Sequence, residues 1–338
     1  MRVLVLGATG HIGRRMMEVL RATSWSAPVG ASRSQVSAVS SPDAMTLDTR
    51  NVPALTSVLK RFDAVVNCVA GDAASISGGA EALVQAGLAG GCPRIIHLST
   101  MSVYGPAEGE LREDAALDPA LGWYGRAKCE AEAHLAAYAR QGGEAVILRP
   151  GCVFGPGSEL WVGRTGRWLH SGRLGDLGAA GDGWSNLVHV DDVCQALVAA
   201  LRLPVAPGQS PAFNLAAPDS PRWNDFFVDL ALALDATPVR RISRRQLQLD
   251  AWLAGPPLKL AQLLLKRLGK EQTALPSPMP PGLLRLWTQH IHLDASLATQ
   301  TLGLTWTPYP EGLQSSAAWF SGKYSSSGKM MGKPLWMH

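Results

Sequence analysis

Tyr124 and Lys128 stand four residues apart in a stretch of helical spacing, so both side chains leave one face of the same helix. A phenol titrates near ~10 and is a poor base at neutral pH. An ammonium beside it favours the phenolate and lowers that value, which makes Tyr124 usable as a general acid and base. A surface Tyr/Lys pair at the same spacing is the competing reading. Thr100 lies upstream in LSTMSVYG (98–105), at the carboxyl end of a predicted strand. Parallel sheets bind ligands at that end. The Thr100 hydroxyl either donates to a substrate oxygen there or, as a turn residue, bonds its own backbone.

A second constellation opens the chain. The apolar run 3–6 suits a strand buried on both faces. Gly7, Gly10 and Gly13 follow at three-residue spacing, and a helical pattern takes over from Ile12. Strand, glycine bend and helix start together suit a dinucleotide. The glycines let the backbone approach a pyrophosphate, and the helix start offers N–H groups and partial positive charge. An ordinary strand-to-helix turn is the plain alternative. The next predicted strand ends Gly30-Ala31-Ser32-Arg33-Ser34, without an acid. An acid there holds the ribose hydroxyls of NAD, whereas an arginine pairs a 2′-phosphate. Arg33, with Ser32 or Ser34 donating hydrogen bonds and Arg14 at the first helix, favours NADP(H). With Arg33 turned to solvent, NAD(H) serves as well.

The elements that must position these residues alternate. Strands are predicted at 27–33, 44–48, 63–69, 94–100 and 145–149, and helices at 52–61, 79–88 and 123–140. The period implies an α/β fold, a doubly wound parallel sheet (Rossmann fold) with right-handed crossovers and a smaller C-terminal substrate domain. The expected division is a dinucleotide-binding domain over 1–150, with 186–202 packed back on it, a mainly substrate-binding domain over 151–320, and a mobile Ser-, Gly- and Lys-rich tail over 321–338. Beyond Pro150 the alternation fades into a helix at 160–170, a helix at 191–201, a strand at 213–215, a helix at 223–234 and a proline-rich break at 276–281. Trp161, Trp168, Trp184, Trp252 and the leucine-rich 258–268 line an apolar pocket or fill a core. Arg240, Arg241, Arg244 and Arg245 read as a solvated face.

Composition narrows the classes. Of 338 residues 46% are hydrophobic and 17% charged, which fills a core, and the net charge of +4 is too mild to argue for nucleic acid. Cys68, Cys92, Cys129, Cys152 and Cys194 are odd in number and form no Cys-x-x-Cys, as in a reduced cytoplasmic protein. With a strand opening at residue 2, no signal peptide is expected. The most apolar stretch, 249–268, is broken by Pro256, Pro257, Lys259, Lys266 and Arg267, so no integral membrane segment is expected. No metal site is expected either. His290 and His292 would face opposite sides of a strand, and His189 with Asp191 and Asp192 reads as the cap of a helix.

GATGHIG, LSTMSVYG, YGRAK, RPGCVFGPG and NLVHVDDV follow one another in an order and spacing that resembles the extended short-chain dehydrogenase/reductase family over about 1–320. The resemblance implies that Thr100, Tyr124 and Lys128 are catalytic and that Lys128 also holds the nicotinamide ribose. It implies that Gly7, Gly10 and Gly13, with Thr9, His11 and Ile12, hold the pyrophosphate. Asp48 and Thr49 then contact the adenine, Val69, Ala70 and Gly71 wall the ribose, and Pro150 and Val153 flank the nicotinamide. Nucleotide-sugar members carry an arginine four residues before the histidine of HVDD, where this chain has Ser185. RLWTQHIHLDASLATQTLGL and EGLQSSAAWF are similar to the steroid-dehydrogenase-like branch. The implied activity is NAD(P)-dependent interconversion of a ketone and a secondary alcohol on a small, largely apolar molecule. A nucleotide-sugar epimerase or dehydratase, and a non-catalytic NADP-binding protein, are the alternatives. The resemblance also implies a homodimer paired through the helices at 79–88 and 123–140.

Overall fold

A computed structural model of the chain describes residues 1–33, 43–91, 93–118, 120, 122–254, 257–261, 265 and 277–325. Its main sheet has seven strands: β1 (Arg2–Leu6), β2 (Ala27–Ser32), β3 (Ala44–Thr46), β4 (Ala64–Asn67), β5 (Arg94–Leu98), β6 (Ala145–Pro150) and β7 (Ala212–Leu215). Their order is β7-β6-β5-β4-β1-β2-β3, with every pairing parallel. The sheet is a Rossmann-like α/β sheet. Val3 to Leu6, Ala64 to Val66 and Ala145 to Leu148 are all buried, because helices cover both faces. The chain leaves β1 in one direction toward β3 and returns to start β4 on the other side. The crevice at the carboxyl ends of β1 and β4 is therefore the switch point of the sheet.

Four helices before residue 141 serve that sheet. α1 (His11–Arg21) buries Gly13, Met16, Met17 and Leu20 at helical spacing. α2 (Val52–Leu59) starts where the Asn51 side chain accepts from the Ala54 amide. α3 (Gly79–Gly90) follows a wide turn at Ala74–Gly78 and stops at Gly91, whose φ is +117°. α4 (Gly122–Arg140) buries Gly125, Ala127, Lys128, Ala131, Glu132, Leu135, Tyr138 and Ala139. Two of these, Lys128 and Glu132, are of charged type, on a stripe that should be apolar.

The chain divides into two compact units. The first comprises Met1–Gly151, Val188–Pro218 and His292–Trp306. It holds the sheet, and the helix Val190–Arg202 that His189 caps by accepting from the Asp191 amide at 3.3 Å. A strand at Gly109–Leu111, absent from the sequence reading, lies in it, and the Asp294 amide donates to the Leu111 carbonyl at 2.9 Å.

The second unit comprises Cys152–Leu187, Asp219–Ile291 and the chain from Thr307 on. Aromatic rings build its centre. Trp223 stacks on Phe227 at 5.6 Å, and Phe227 meets Trp287 at 5.2 Å. The four tryptophans singled out by sequence do not gather in one place. Trp168 is a core residue whose indole donates to the Ser277 carbonyl at 2.9 Å. Trp161 packs on Trp223, Trp184 lies under the Arg222 guanidinium, and Trp252 is 65% exposed. Arg241 pairs with Asp176 at 2.5 Å. Residues 321–325, expected in a mobile tail, are the last turns of a helix at Tyr309–Ser325, anchored where Lys323 and Tyr324 meet Glu159. A Leu, Trp and Phe face carries the pattern past the point where Ser and Gly dominate the composition. Residues 326–338, Cys92 and Ser34 lie outside the described residues. The four described cysteines are free thiols. Among the described residues no helix is long and apolar enough to cross a membrane, and no His, Cys, Asp and Glu gather as a metal set.

Candidate active site

α4 brings Tyr124 and Lys128 to the end of β5. Gly125 makes this possible, since a Cβ there would come 2.9 Å from the Ser102 carbonyl. Lys128 is 2% exposed, and its Nζ donates to the Leu98 carbonyl at 2.6 Å. Burial lowers its pKa to about 8, against the opposing pull of Cys68 and Glu132. Tyr124 is partly buried. Burial pushes its phenol above the ordinary value, and a hydrogen bond with Thr100 draws it back. The expected lowering of the phenol by the lysine charge is therefore not what shapes Tyr124. The ammonium is turned to the Leu98 carbonyl.

Of the two roles the sequence left open for Thr100, the turn role is the one on view. Thr100 is buried, and it starts the turn Met101–Tyr104, where its Oγ1 accepts from the Ser102 amide at 3.3 Å. The same hydroxyl donates to Ser102 Oγ at 3.4 Å. Turn chemistry thus fixes the hydroxyl. Ser99 points elsewhere, donating to Glu132 at 2.5 Å.

The bend after β1 is made of backbone. Gly7 has φ of +75°, and a Cβ there would lie 2.8 Å from the Cys68 carbonyl. A Cβ on Gly13 would lie 2.2 Å from the Gly7 carbonyl, so α1 packs against the bend with no room for a methyl. The Gly10 amide donates to the Gly7 carbonyl at 3.0 Å, and no side chain caps α1 at Gly10. The first turn carries no acid. Thr9 and Gly10 are exposed, and His11 and Ile12 partly buried. An uncapped, acid-free helix start behind a methyl-free bend fits a pyrophosphate.

The remaining expected cofactor residues are placed as follows. Ser32 is partly buried at the end of β2, and the exposed Arg33 donates to Ser75 Oγ at 3.3 Å. Asp48 is exposed and paired with Arg50 at 3.3 Å, which holds its carboxyl below the usual range. Thr49 is buried beside Gly79, where a Cβ would approach its Oγ1 to 3.3 Å. The Val69 amide donates to Asn67 Oδ1 at 3.1 Å, and Ala70 and Gly71 beyond it are exposed. Pro150 is buried at the end of β6. Val153 belongs to the second unit, where its carbonyl accepts from Ser158 Oγ at 2.9 Å. Ser185, also in that unit, is fully buried and spends its hydroxyl on the Pro221 carbonyl at 2.5 Å and on Ser220 at 3.0 Å.

Sequence reasoning missed a buried polar group behind these residues. Arg149 and Glu132 form an ion pair at 2.7 Å with side chains 7% and 4% exposed. Arg149 also donates to Tyr104 Oη at 2.9 Å, and Tyr104 donates to Asn214 Oδ1 at 2.7 Å. The signal was present. Arg149 interrupts AVILRP, a strand buried on both faces, and a charge there requires a partner.

Comparison with known proteins bears on the fold and the family. The sequence profile described as the NAD dependent epimerase/dehydratase family matches residues 3–216. Protein YeeZ of Escherichia coli K12 is 33% identical over 160 residues, covering 47% of this chain and 52% of that protein. The 2′-dehydrokanamycin reductase of Streptomyces kanamyceticus is 30% identical over 208 residues, covering 58% of this chain and 57% of that protein. The chain thus spans about half the length of the curated relatives it matches. Among solved structures, the UDP-glucuronic acid 4-epimerase of Bacillus cereus in complex with NAD has a TM-score of 0.72 at 19% identity, covering 100% of both chains.

Proposed function

The chain belongs to the NAD dependent epimerase/dehydratase family, and from that premise we propose an NAD(P)-dependent oxidoreductase of the extended short-chain dehydrogenase/reductase type. It interconverts a ketone and a secondary alcohol on a small, largely apolar molecule, and it prefers NADP(H) to NAD(H). The observation that carries the reading is the buried Lys128 ammonium on the helix that also carries Tyr124, at the end of the strand where Thr100 stands.

The nicotinamide cofactor, when bound, supplies or accepts the hydride. The chain's own residues do the rest. Gly7, Gly10 and Gly13, with Thr9, His11 and Ile12, hold the pyrophosphate. Arg33 and Ser32 face the 2′-phosphate, which the acid-free end of β2 leaves unopposed. Asp48 and Thr49 serve the adenine, Val69, Ala70 and Gly71 the ribose, and Pro150 and Val153 the nicotinamide. In reduction Tyr124 gives its phenolic proton to the substrate oxygen while Thr100 hydrogen-bonds that oxygen. A phenol that burial has pushed upward is fully protonated at neutral pH, which suits it to donate. Lys128 binds the ribose and offers its charge to the phenolate that results. The reading includes a cytoplasmic setting, which suits the free thiols, and pairing of two chains through α3 and α4 as the resemblance implies.

The second reading, a nucleotide-sugar epimerase or dehydratase, is favoured by the likeness to the Bacillus cereus epimerase. The buried, internally bonded Ser185 weighs against it, because it offers no cation to a diphosphate. A non-catalytic NADP-binding protein would have no use for the paired Tyr124 and Lys128.

Titration with NADPH and NADH, followed by a screen of ketones and UDP-sugars for loss of NADPH absorbance, tests the reading. Tighter NADPH binding and ketone-dependent NADPH consumption are expected. Tyr124→Phe should then cut turnover by about 10²–10⁴-fold with NADPH affinity nearly intact. A UDP-sugar converted without net NADPH consumption selects the second reading. Wild-type turnover in the Tyr124→Phe variant ends the assignment.

A further inference from the structure

Three segments of the first unit converge on one carboxylate. Glu132 stands one turn beyond Lys128 on α4. Its Oε1 accepts from Ser99 Oγ at 2.5 Å and from Arg149 Nε at 3.1 Å, and its Oε2 accepts from Arg149 Nη2 at 2.7 Å. Ser99 directly precedes Thr100, and Arg149 directly precedes Pro150. We propose that Glu132 is the positioning residue of the site: through Ser99 and Arg149 it holds Thr100, the Tyr124–Lys128 face of α4 and the Pro150 end of β6 in one register. The proposal rests on the roles given above to Thr100, Tyr124 and Lys128.

A buried ion pair is weak evidence for stability, since desolvating two charges costs about what their attraction returns. Its value is directional. An apolar pair could slide along the helix face, whereas a bidentate guanidinium and a short hydroxyl bond fix one carboxylate in one place. Asn214 and Tyr104 secure the guanidinium from behind.

Glu132 also sets the field in which Lys128 sits. Burial keeps the neighbouring Cys68 a thiol, its pKa pushed up to about 12, and keeps His97 a neutral imidazole. Of the two groups that oppose loss of the lysine's proton, Glu132 supplies the carboxylate, held by Arg149. It opposes the desolvation that drives Lys128 toward the amine.

The test uses the full chain with ¹³C at lysine Cε, the Lys128 resonance being assigned by its loss in Lys128→Met. Its titration is followed by NMR, and that of Tyr124 by ultraviolet difference against Tyr124→Phe. In wild type Lys128 should titrate near 8. In Glu132→Gln its midpoint should fall by about one pH unit, a tenfold change in the ammonium-to-amine ratio. The Tyr124 midpoint should rise there as Thr100 loosens. In the double variant Glu132→Gln with Arg149→Met, which removes the negative and the positive charge together, the Lys128 midpoint should fall by less than in the single variant, while the Tyr124 midpoint should rise as far. Glu132→Asp retains the charge and is the variant most able to fold, and it should shift both midpoints in the same directions by less. A merely structural role would lower Tm and leave both midpoints where they are. An unchanged midpoint for either residue in a folded variant, or a wild-type lysine titrating at the ordinary lysine value, overturns the proposal. No turnover enters these readings, so failure of the ketone chemistry and failure of this proposal are separately visible.

Discussion

The bend after β1 and the corner where α4 meets β5 lie at carboxyl ends of strands in one sheet, yet they are made of opposite materials. The bend is backbone, and its capacity to hold an anion comes from what is missing: a Cβ at Gly13, a side-chain cap at Gly10, an acid in the first turn of α1. The corner is side chains, and its character comes from pairing: ammonium with carbonyl, carboxylate with guanidinium and hydroxyl. The first fails when an atom is added and the second when one is removed. Two regions of the same scaffold therefore answer to different kinds of substitution.

The largest effect should come from adding a methyl to the bend. In Gly13→Ala the new Cβ meets a backbone carbonyl that cannot swing aside. We expect a loss of about 3 kcal/mol or more in urea unfolding, at the upper end for overpacking, with cofactor affinity down by at least about a hundredfold. A variant that unfolds like wild type would erase the contrast.

The corner should be broken by removing a charge, and the loss should depend on pH. Lys128 titrates lower in the folded chain, near 8, than in the unfolded one. Between that value and the ordinary lysine range the unfolded chain holds more protons, so folding stability gains with rising pH. Across that window wild type should gain about 3 kcal/mol on Lys128→Met, the energy of the shift itself. Equal pH slopes for the two proteins would show that the lysine is not buried as a charge.

Arg33 sharpens the comparison, being a side chain added to the rim of a backbone site. Arg33→Ala should weaken NADPH about tenfold, roughly 1.4 kcal/mol, and leave NADH within about twofold. Equal losses for both would make Arg33 a general contact and remove the argument for NADP(H).

The bend was the more legible region. Glycine spacing beside an apolar run is local information, and Gly7, Gly10 and Gly13 hold the backbone as that spacing requires. The seven strands were legible for the same reason, with ends displaced by a residue or two. The pairing behind the corner was not read, because its partners lie far apart in the chain. Ser99, Glu132 and Arg149 each look ordinary in their own segment, although Glu132 falls four residues after Lys128 and so shares its face. Tyr104 and Asn214 gave no local sign, because only the β6–β7 pairing sets Asn214 next to Arg149. The sign of the shift at Tyr124 was missed as well. Spacing places a lysine beside a tyrosine but does not reveal that the ammonium prefers the Leu98 carbonyl.

Strand order gives these two regions different birthdays on the ribosome. β1, β2, β3 and β4 are all present once residue 67 has emerged, so the bend can close while most of the chain is still unwritten. The corner must wait. Asn214 arrives about 150 residues later, and its amide finds its acceptors only at Leu111 and Asp294. The bend can thus form before the corner, and a chain cut short before residue 294 would carry the first without the full set of bonds that secures the second.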